Sequence, residues 1–298
     1  MRIVSLLPSA TEIAYLLGLG DQLVGVTHEC DWPPEARHLP VVSHSALPPG
    51  MEPADIDRMV SESVGGGDPI YRLDDQLIRK LQPDLVLTQD LCAVCAVPSG
   101  HVQAALDVIG CQAEVLSLDP SSLEEVLGNV LDVGRVTATE EKAREVVSLL
   151  ERRLAAVSEA TVGRPRRRVF ALEWGDPPFN GGHWVSQMIE LAGGEPVLAC
   201  PGAPSVRVSW DEISAADPEV VVFMPCGYNL EEAADEGAAL RRRRELIGVE
   251  DFFVAYADAY FSRPGPRLVD GVEALAAALH PEAFSDQRED VVRLLRGS

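Results

Sequence analysis

The chain has 298 residues with a formal net charge of −22, 46% hydrophobic and 24% charged. That length and composition favour a globular protein of two α/β lobes over a single domain. They exclude a nucleic-acid binder, which needs clustered Lys and Arg, and a membrane-inserted protein, which needs an apolar run of about 18 residues or more.

The chain opens on Met1-Arg2-Ile3-Val4-Ser5-Leu6-Leu7-Pro8, which enters an apolar strand at once, with no hydrophobic leader and no lipidated cysteine. As written, the chain is therefore expected to be cytoplasmic, or extracytoplasmic if a leader has been removed and replaced by Met1. Short β-branched runs at Ile3–Leu6, Leu23–Thr27, Leu85–Thr88 and Ala113–Ser117 predict buried strands. Helical spacing at Thr11–Leu17 and Asp74–Leu81 separates them. Such alternation implies right-handed βαβ units and a largely parallel sheet. The Pro- and Gly-rich stretch 46–67 reads as a long loop or excursion. Residues 139–161 predict one long amphipathic helix with Thr139 placed to cap it. Alternation then restarts with strands at Arg168–Glu173, Val220–Met224 and Phe253–Ala257 and a helix at Ser186–Ala192. The expected organisation is an N-terminal α/β lobe over 1–138, a connecting helix over 139–162 and a C-terminal α/β lobe over 163–298.

Open parallel sheets bind ligands beyond the carboxyl ends of their strands. Aromatic residues are only 5% of the chain, yet Trp32, Trp174, Phe179, Trp184, Tyr228, Tyr260 and Phe261 all fall in the segments that follow strands. Rings placed there suit a flat ligand of large area, because each gives much contact at little entropic cost. Packing of the loops themselves is the competing reading for any single ring. His28 and His183 lie in the same segments, as do Cys30, Cys92, Cys95 and Cys226. A zinc or cluster site, a thiol–disulfide pair at Cys92-x-x-Cys95, and an axial ligand from His28 or His183 to a bound cobalt or iron centre all remain open. Small buried cysteines with no chemistry are the plain alternative. The chain lacks a G-x-S-x-G elbow, a P-loop, a G-x-G-x-x-G turn and an H-E-x-x-H pair, so no enzyme and no catalytic cofactor are expected.

Six motifs occur in order: Ser5-Leu6-Leu7-Pro8-Ser9-Ala10-Thr11-Glu12, Asp31-Trp32-Pro33-Pro34, Leu81-Gln82-Pro83-Asp84-Leu85-Val86, Pro177-Pro178-Phe179, Leu191-Ala192-Gly193-Gly194 and Arg263-Pro264-Gly265-Pro266-Arg267. With them the chain resembles the cobalamin-binding branch of the helical-backbone substrate-binding proteins that serve ABC transporters. The resemblance implies two Rossmann-like lobes with parallel sheets joined by a single long helix, and a cleft between the lobes that holds a corrinoid without catalysis. The candidate ligand contacts, taken from the segments that follow the strands, are Pro8, His28, Trp32, Trp174, Phe179, His183, Trp184, Tyr228, Tyr260, Phe261 and Arg263. The resemblance also implies docking on a transporter permease through Asp74 or Asp75 and through Asp211. A thiol- or metal-binding cytosolic protein using Cys30, Cys92, Cys95 and Cys226, and a binder of haem or an iron chelate, are the alternatives. Relative to compact members of that branch, residues 46–70 form an insertion that could cover the cleft.

Overall fold

A computed structural model describes residues 1–46, 55, 58–59, 71–90 and 99–296. The insertion expected over 46–70 and the Cys92-x-x-Cys95 pair therefore lie almost wholly outside the described residues. Two compact units emerge, one of residues 1–120 and 127–147, the other of 121–126 and 148–298.

The N-terminal unit contains β1 (Ile3–Ser5), α1 (Pro8–Leu16), β2 (Leu23–Thr27), β3 (Val41–Ser45), β4 (Tyr71–Leu73), α2 (Asp75–Leu81), β5 (Leu85–Thr88), α3 (Ser99–Ile109) and β6 (Glu114–Ser117). Its sheet runs β4-β3-β2-β1-β5-β6, parallel throughout except for the β3/β4 pair. The central strand β1 is buried along its whole length, with Ile3 opposite Leu23 on one side and Leu85 on the other. Burial on both faces explains why it reads as a continuous apolar run instead of an alternating one. Val4, Leu6, Val42, Ile78, Val86 and Leu106 pack into one core cluster.

Two helices follow, α4 (Leu123–Val136) and α5 (Glu140–Thr161), and the boundary between the units falls inside each of them. The Thr139 carbonyl accepts from Ala143 N at 3.0 Å, as at a helix start. Its hydroxyl, however, pairs with the Thr137 hydroxyl at 2.9 Å instead of capping the first turn.

The C-terminal unit contains β7 (Arg168–Gly175), β8 (Pro178–Asn180), α6 (Val185–Leu191), β9 (Glu195–Pro196), α7 (Trp210–Ala215), β10 (Val220–Phe223), α8 (Leu230–Leu240), β11 (Asp251–Ala255), α9 (Leu268–Leu279) and β12 (Val292–Leu294). The order is β12-β11-β10-β7-β8, with β9 paired to the start of β7. Phe170, Leu172, Ile213, Val221, Phe223, Leu230, Phe252 and Val254 fill its core. Strand β11 begins and ends two residues earlier than the expected Phe253–Ala257. Beyond Ala255 the chain bonds Tyr256 N to Val291 O at 2.8 Å and turns into a short π-helical segment, Asp258–Ser262. That segment packs tightly on α9, where a Cβ at Gly271 would run into the Tyr260 carbonyl oxygen. Arg153 of α5 ties down the other side of α9 by a two-pronged bond to Glu273 (2.9 and 2.6 Å) and a third bond to Asp270 (2.6 Å). Those hydrogen bonds, opposed by desolvation, hold the guanidinium pKa above its ordinary value.

The protein is thus an α/β fold with two mostly parallel sheets, as its alternation of strands and helices implies.

Candidate functional site

Each unit carries candidate residues just beyond the carboxyl ends of its strands. In the N-terminal unit the chain leaves β1 outward to β2 and β3 and later returns to β5 on the opposite side, so the topological switch lies between β1 and β5. Pro8 occupies the first turn of α1 and is buried. Its fixed φ and missing N–H suit that position, which makes it a helix starter at the switch point. Thr11 and Glu12 behind it are buried as well. The Thr11 hydroxyl lies 3.0 Å from Cys30 Sγ, so this cysteine is a packed interior thiol. Gln89, directly after β5, is buried with its Oε1 lacking a hydrogen-bond partner.

His28 follows β2 and is exposed. Its Nδ1 lies 3.1 Å from the Ser43 carbonyl oxygen and 3.3 Å from the Thr27 hydroxyl. Its ring is stacked on His44 at 6.4 Å between centroids and tilted against Tyr71 at 5.9 Å. Tyr71 donates to Glu29 Oε1 at 3.2 Å. Sequence reading missed both His44 and Tyr71. His44 reaches His28 because β3 pairs parallel with β2, Thr27 opposite Ser43, and Tyr71 reaches it because the edge strand β4 pairs antiparallel with β3; such short strands have no periodic signal. Trp32, in the next turn, is 48% exposed, a large apolar surface for a side chain held by a loop.

In the C-terminal unit the hairpin β7–β8 turns at Asp176-Pro177 and carries two of the expected rings. Trp174 is half-buried and stands edge-on to Tyr228, which follows β10, at 5.8 Å. Its indole nitrogen is buried without a partner. Phe179 is capped by the guanidinium of Arg207 at 5.6 Å. Tyr260 stands edge-on to Tyr256 at 5.6 Å, with Arg267 over its ring at 5.3 Å. Arg263, only 9% exposed, bonds Asp258 through two nitrogens at 3.3 and 2.6 Å.

Two of the seven rings face inward. Trp184 is 4% exposed and donates from its indole to the Phe261 carbonyl at 2.8 Å, and Phe261 is among the fully buried side chains. His183 sits beside them in the left-handed backbone region (φ 49°), half-buried and stacked on Trp184 at 5.5 Å. Its Nδ1 is buried without a partner, and desolvation pushes its pKa below the ordinary histidine value.

Beneath the Trp174–Tyr228 pair lies Glu236 of α8. A Cβ at Gly175 would collide with its carboxylate oxygen. Burial raises its pKa, the Tyr228 hydrogen bond opposes that shift, and the nearby Asp176 charge adds to it. The unfolded chain therefore ionises first. A penalty on folding sets in as pH rises through the ordinary value of 4.5 and is complete above the raised folded value. Glu236→Gln is expected to raise the unfolding temperature at about pH 8 and to leave it unchanged at about pH 3. Equal gains at both pH values would assign the effect to something other than ionisation.

The remaining candidates are spread out. Asp75 and Asp211 are exposed in the first turns of α2 and α7. Asp74 caps α2 by accepting from Leu77 N at 2.9 Å, and Ser209 with Glu212 forms a capping box on α7. Cys226 is exposed and free. Among the described residues no three His, Cys, Asp or Glu side chains are grouped to hold a metal ion, and no helix is long and apolar enough to cross a membrane.

A family model for periplasmic binding proteins matches residues 3–246. The vitamin B12-binding protein of Vibrio cholerae is 27% identical over 288 residues, covering 93% of this chain and 88% of that protein. An ABC-transporter substrate-binding lipoprotein of Bacillus subtilis is 25% identical, over 96% of this chain and 82% of its own length. Among solved structures, a periplasmic haem-binding protein of Pseudomonas aeruginosa superposes with a TM-score of 0.73 at 20% identity, covering 99% of this chain and 98% of the other. The Vibrio cholerae periplasmic vitamin B12 binding protein superposes with a TM-score of 0.68 at 23% identity, covering 96% and 98%. With its two mostly parallel sheets and a family match across most of its length, the chain belongs to the periplasmic binding protein family.

Proposed function

We propose that the protein binds cobalamin or a related corrinoid and retains or delivers it without bond making. The observation that carries this reading is the Trp174–Tyr228 pair at the carboxyl ends of two neighbouring strands, with Phe179 on β8 and Tyr260 in the π-helical segment of the same unit and Trp32 exposed on the other. Such rings offer broad apolar faces with few degrees of freedom to freeze, which suits a large flat cargo. The corrinoid in particular is supported by the relative named as a vitamin B12-binding protein. His28 and His183 complete the proposed ligand-facing set, and Pro8 and Arg263, which are buried, are left out of it. Trp184 and Phe261 are left out of it, because their rings are committed to the core.

The relative named as an ABC-transporter lipoprotein supports a permease as the partner and an extracytoplasmic setting. Asp75 and Asp211, one exposed carboxylate on each unit, are the proposed docking acids. Haem is the second reading, favoured by the oriented, exposed imidazole of His28, since imidazole ligates iron as readily as cobalt.

Hydroxocobalamin mixed with the purified protein is expected to elute with it on gel filtration, in a ratio near one. Elution of the chromophore entirely in the small-molecule fraction would overturn the corrinoid reading. Retention of haemin in its place would select the second.

A further inference from the structure

We infer that His28 Nε2 is the axial donor to the metal of the bound cargo, so that the protein holds its ligand by a coordinate bond as well as by ring contact. The inference rests on the reading of the cargo as a metal-centred tetrapyrrole; the shared chemistry is a flat macrocycle whose metal has an exchangeable axial position.

Three observations converge on this nitrogen. The Ser43 carbonyl, 3.1 Å from Nδ1, can only accept a hydrogen bond, and it is the shorter of the two Nδ1 contacts, the Thr27 hydroxyl standing at 3.3 Å, so the shorter contact places the hydrogen on Nδ1. In the neutral ring that leaves the lone pair on Nε2, and a backbone carbonyl behind the opposite nitrogen is the arrangement that fixes tautomer and orientation in metal-ligating histidines. Second, the ring neighbours His44 and Tyr71, with centroids 6.4 and 5.9 Å away, and these two rings restrict its direction. Tyr71 is itself anchored on Glu29. Third, the side chain is exposed just beyond β2, and Nε2 makes no hydrogen bond among the described residues.

His183, the other imidazole, is built differently. Its ring is half-buried against Trp184, and its Nδ1 has no carbonyl or carboxylate behind it to fix the tautomer. The geometry favours His28 over His183 for that reason.

With aquocobalamin the step is a ligand exchange. The cobalt–oxygen bond to water breaks, the Nε2–cobalt bond forms, water leaves, and the oxidation state is unchanged. With ferric haem the same exchange occurs at iron. The visible spectrum reports it directly, because axial imidazole moves the bands of both chromophores.

The test titrates wild type, His28→Gln, His44→Gln and His183→Gln with hydroxocobalamin and separately with haemin, reading both the absorption spectrum and retention on gel filtration. Wild type is expected to retain hydroxocobalamin with shifted bands, and whatever fraction His44→Gln and His183→Gln retain, at the same or lower affinity, should carry the same shift. His28→Gln should retain it with the bands of the aquo form. Cyanocobalamin, whose cyanide does not exchange readily, should be retained by wild type without the shift. Retention by wild type without a shift, the same shift in His28→Gln, loss of the shift in His183→Gln alone, or an equal shift with cyanocobalamin would each overturn the inference and leave the binding reading intact. Haemin retained in place of the corrinoid, with its shift lost in His28→Gln, would overturn the corrinoid reading and support the donor role. Retention of neither chromophore would overturn both.

Discussion

Replacing Trp184 by alanine is expected to destabilise the C-terminal unit by about 3–5 kcal/mol, the usual cost of deleting a large buried ring. The side chain is 4% exposed, so the substitution opens a cavity where the ring packs beside α6. It also removes the indole N–H from the Phe261 carbonyl, leaving a buried acceptor that water cannot easily reach. Denaturant unfolding followed by circular dichroism would read the change as a lower midpoint. Protein that remains folded should still bind its ligand, because the ring does not face outward. A loss below about 1 kcal/mol would mean that the site collapses to fill the space.

Trp174→Ala is expected to act on binding instead. A half-buried ring edge-on to Tyr228 has the character of an interface anchor, and truncating such a ring costs about 2–4 kcal/mol, or roughly 30- to 1000-fold in affinity. Trp174→Phe should recover most of that loss by restoring a flat apolar face. Titration of both variants with hydroxocobalamin, alongside an unfolding measurement, separates the two effects. Unchanged affinity in Trp174→Ala would remove this ring from the ligand-facing set. The two tryptophans are ten residues apart in sequence, yet they are expected to fail in different assays.

Much of the architecture was legible from the chain. The runs at 3–6, 23–27, 85–88 and 220–224 identify central strands because strands buried on both faces must be apolar at every position. The long helix was equally plain, and it begins within one residue of its expected start. The edge strands β4 and β12, and β3 beside the first of them, were not legible. Three to five residues pairing at a sheet margin carry no period, and their pairing is chosen by partners distant in sequence. The thiol reading of Cys30 could not be decided from sequence either; its burial against Thr11 depends on how α1 lies beside β2.

The sequence by itself determined the fold class and the neighbourhoods of the candidate residues, because hydrophobic period and strand-to-helix alternation are local properties that one strand or helix expresses alone. Which ring turns inward, which carbonyl orients His28 and which carboxyl lies under Trp174 were decided only in the tertiary structure. Trp174 and Trp184 have the same side chain in the same stretch of loop-rich sequence, and only the tertiary fold buries the second, its indole donating to the Phe261 carbonyl. His28 and His183 are likewise the same residue type, distinguished by a Ser43 carbonyl fifteen positions away from one and by a partnerless, buried nitrogen in the other. Orientation is set by contacts between distant segments, and no local pattern encodes it.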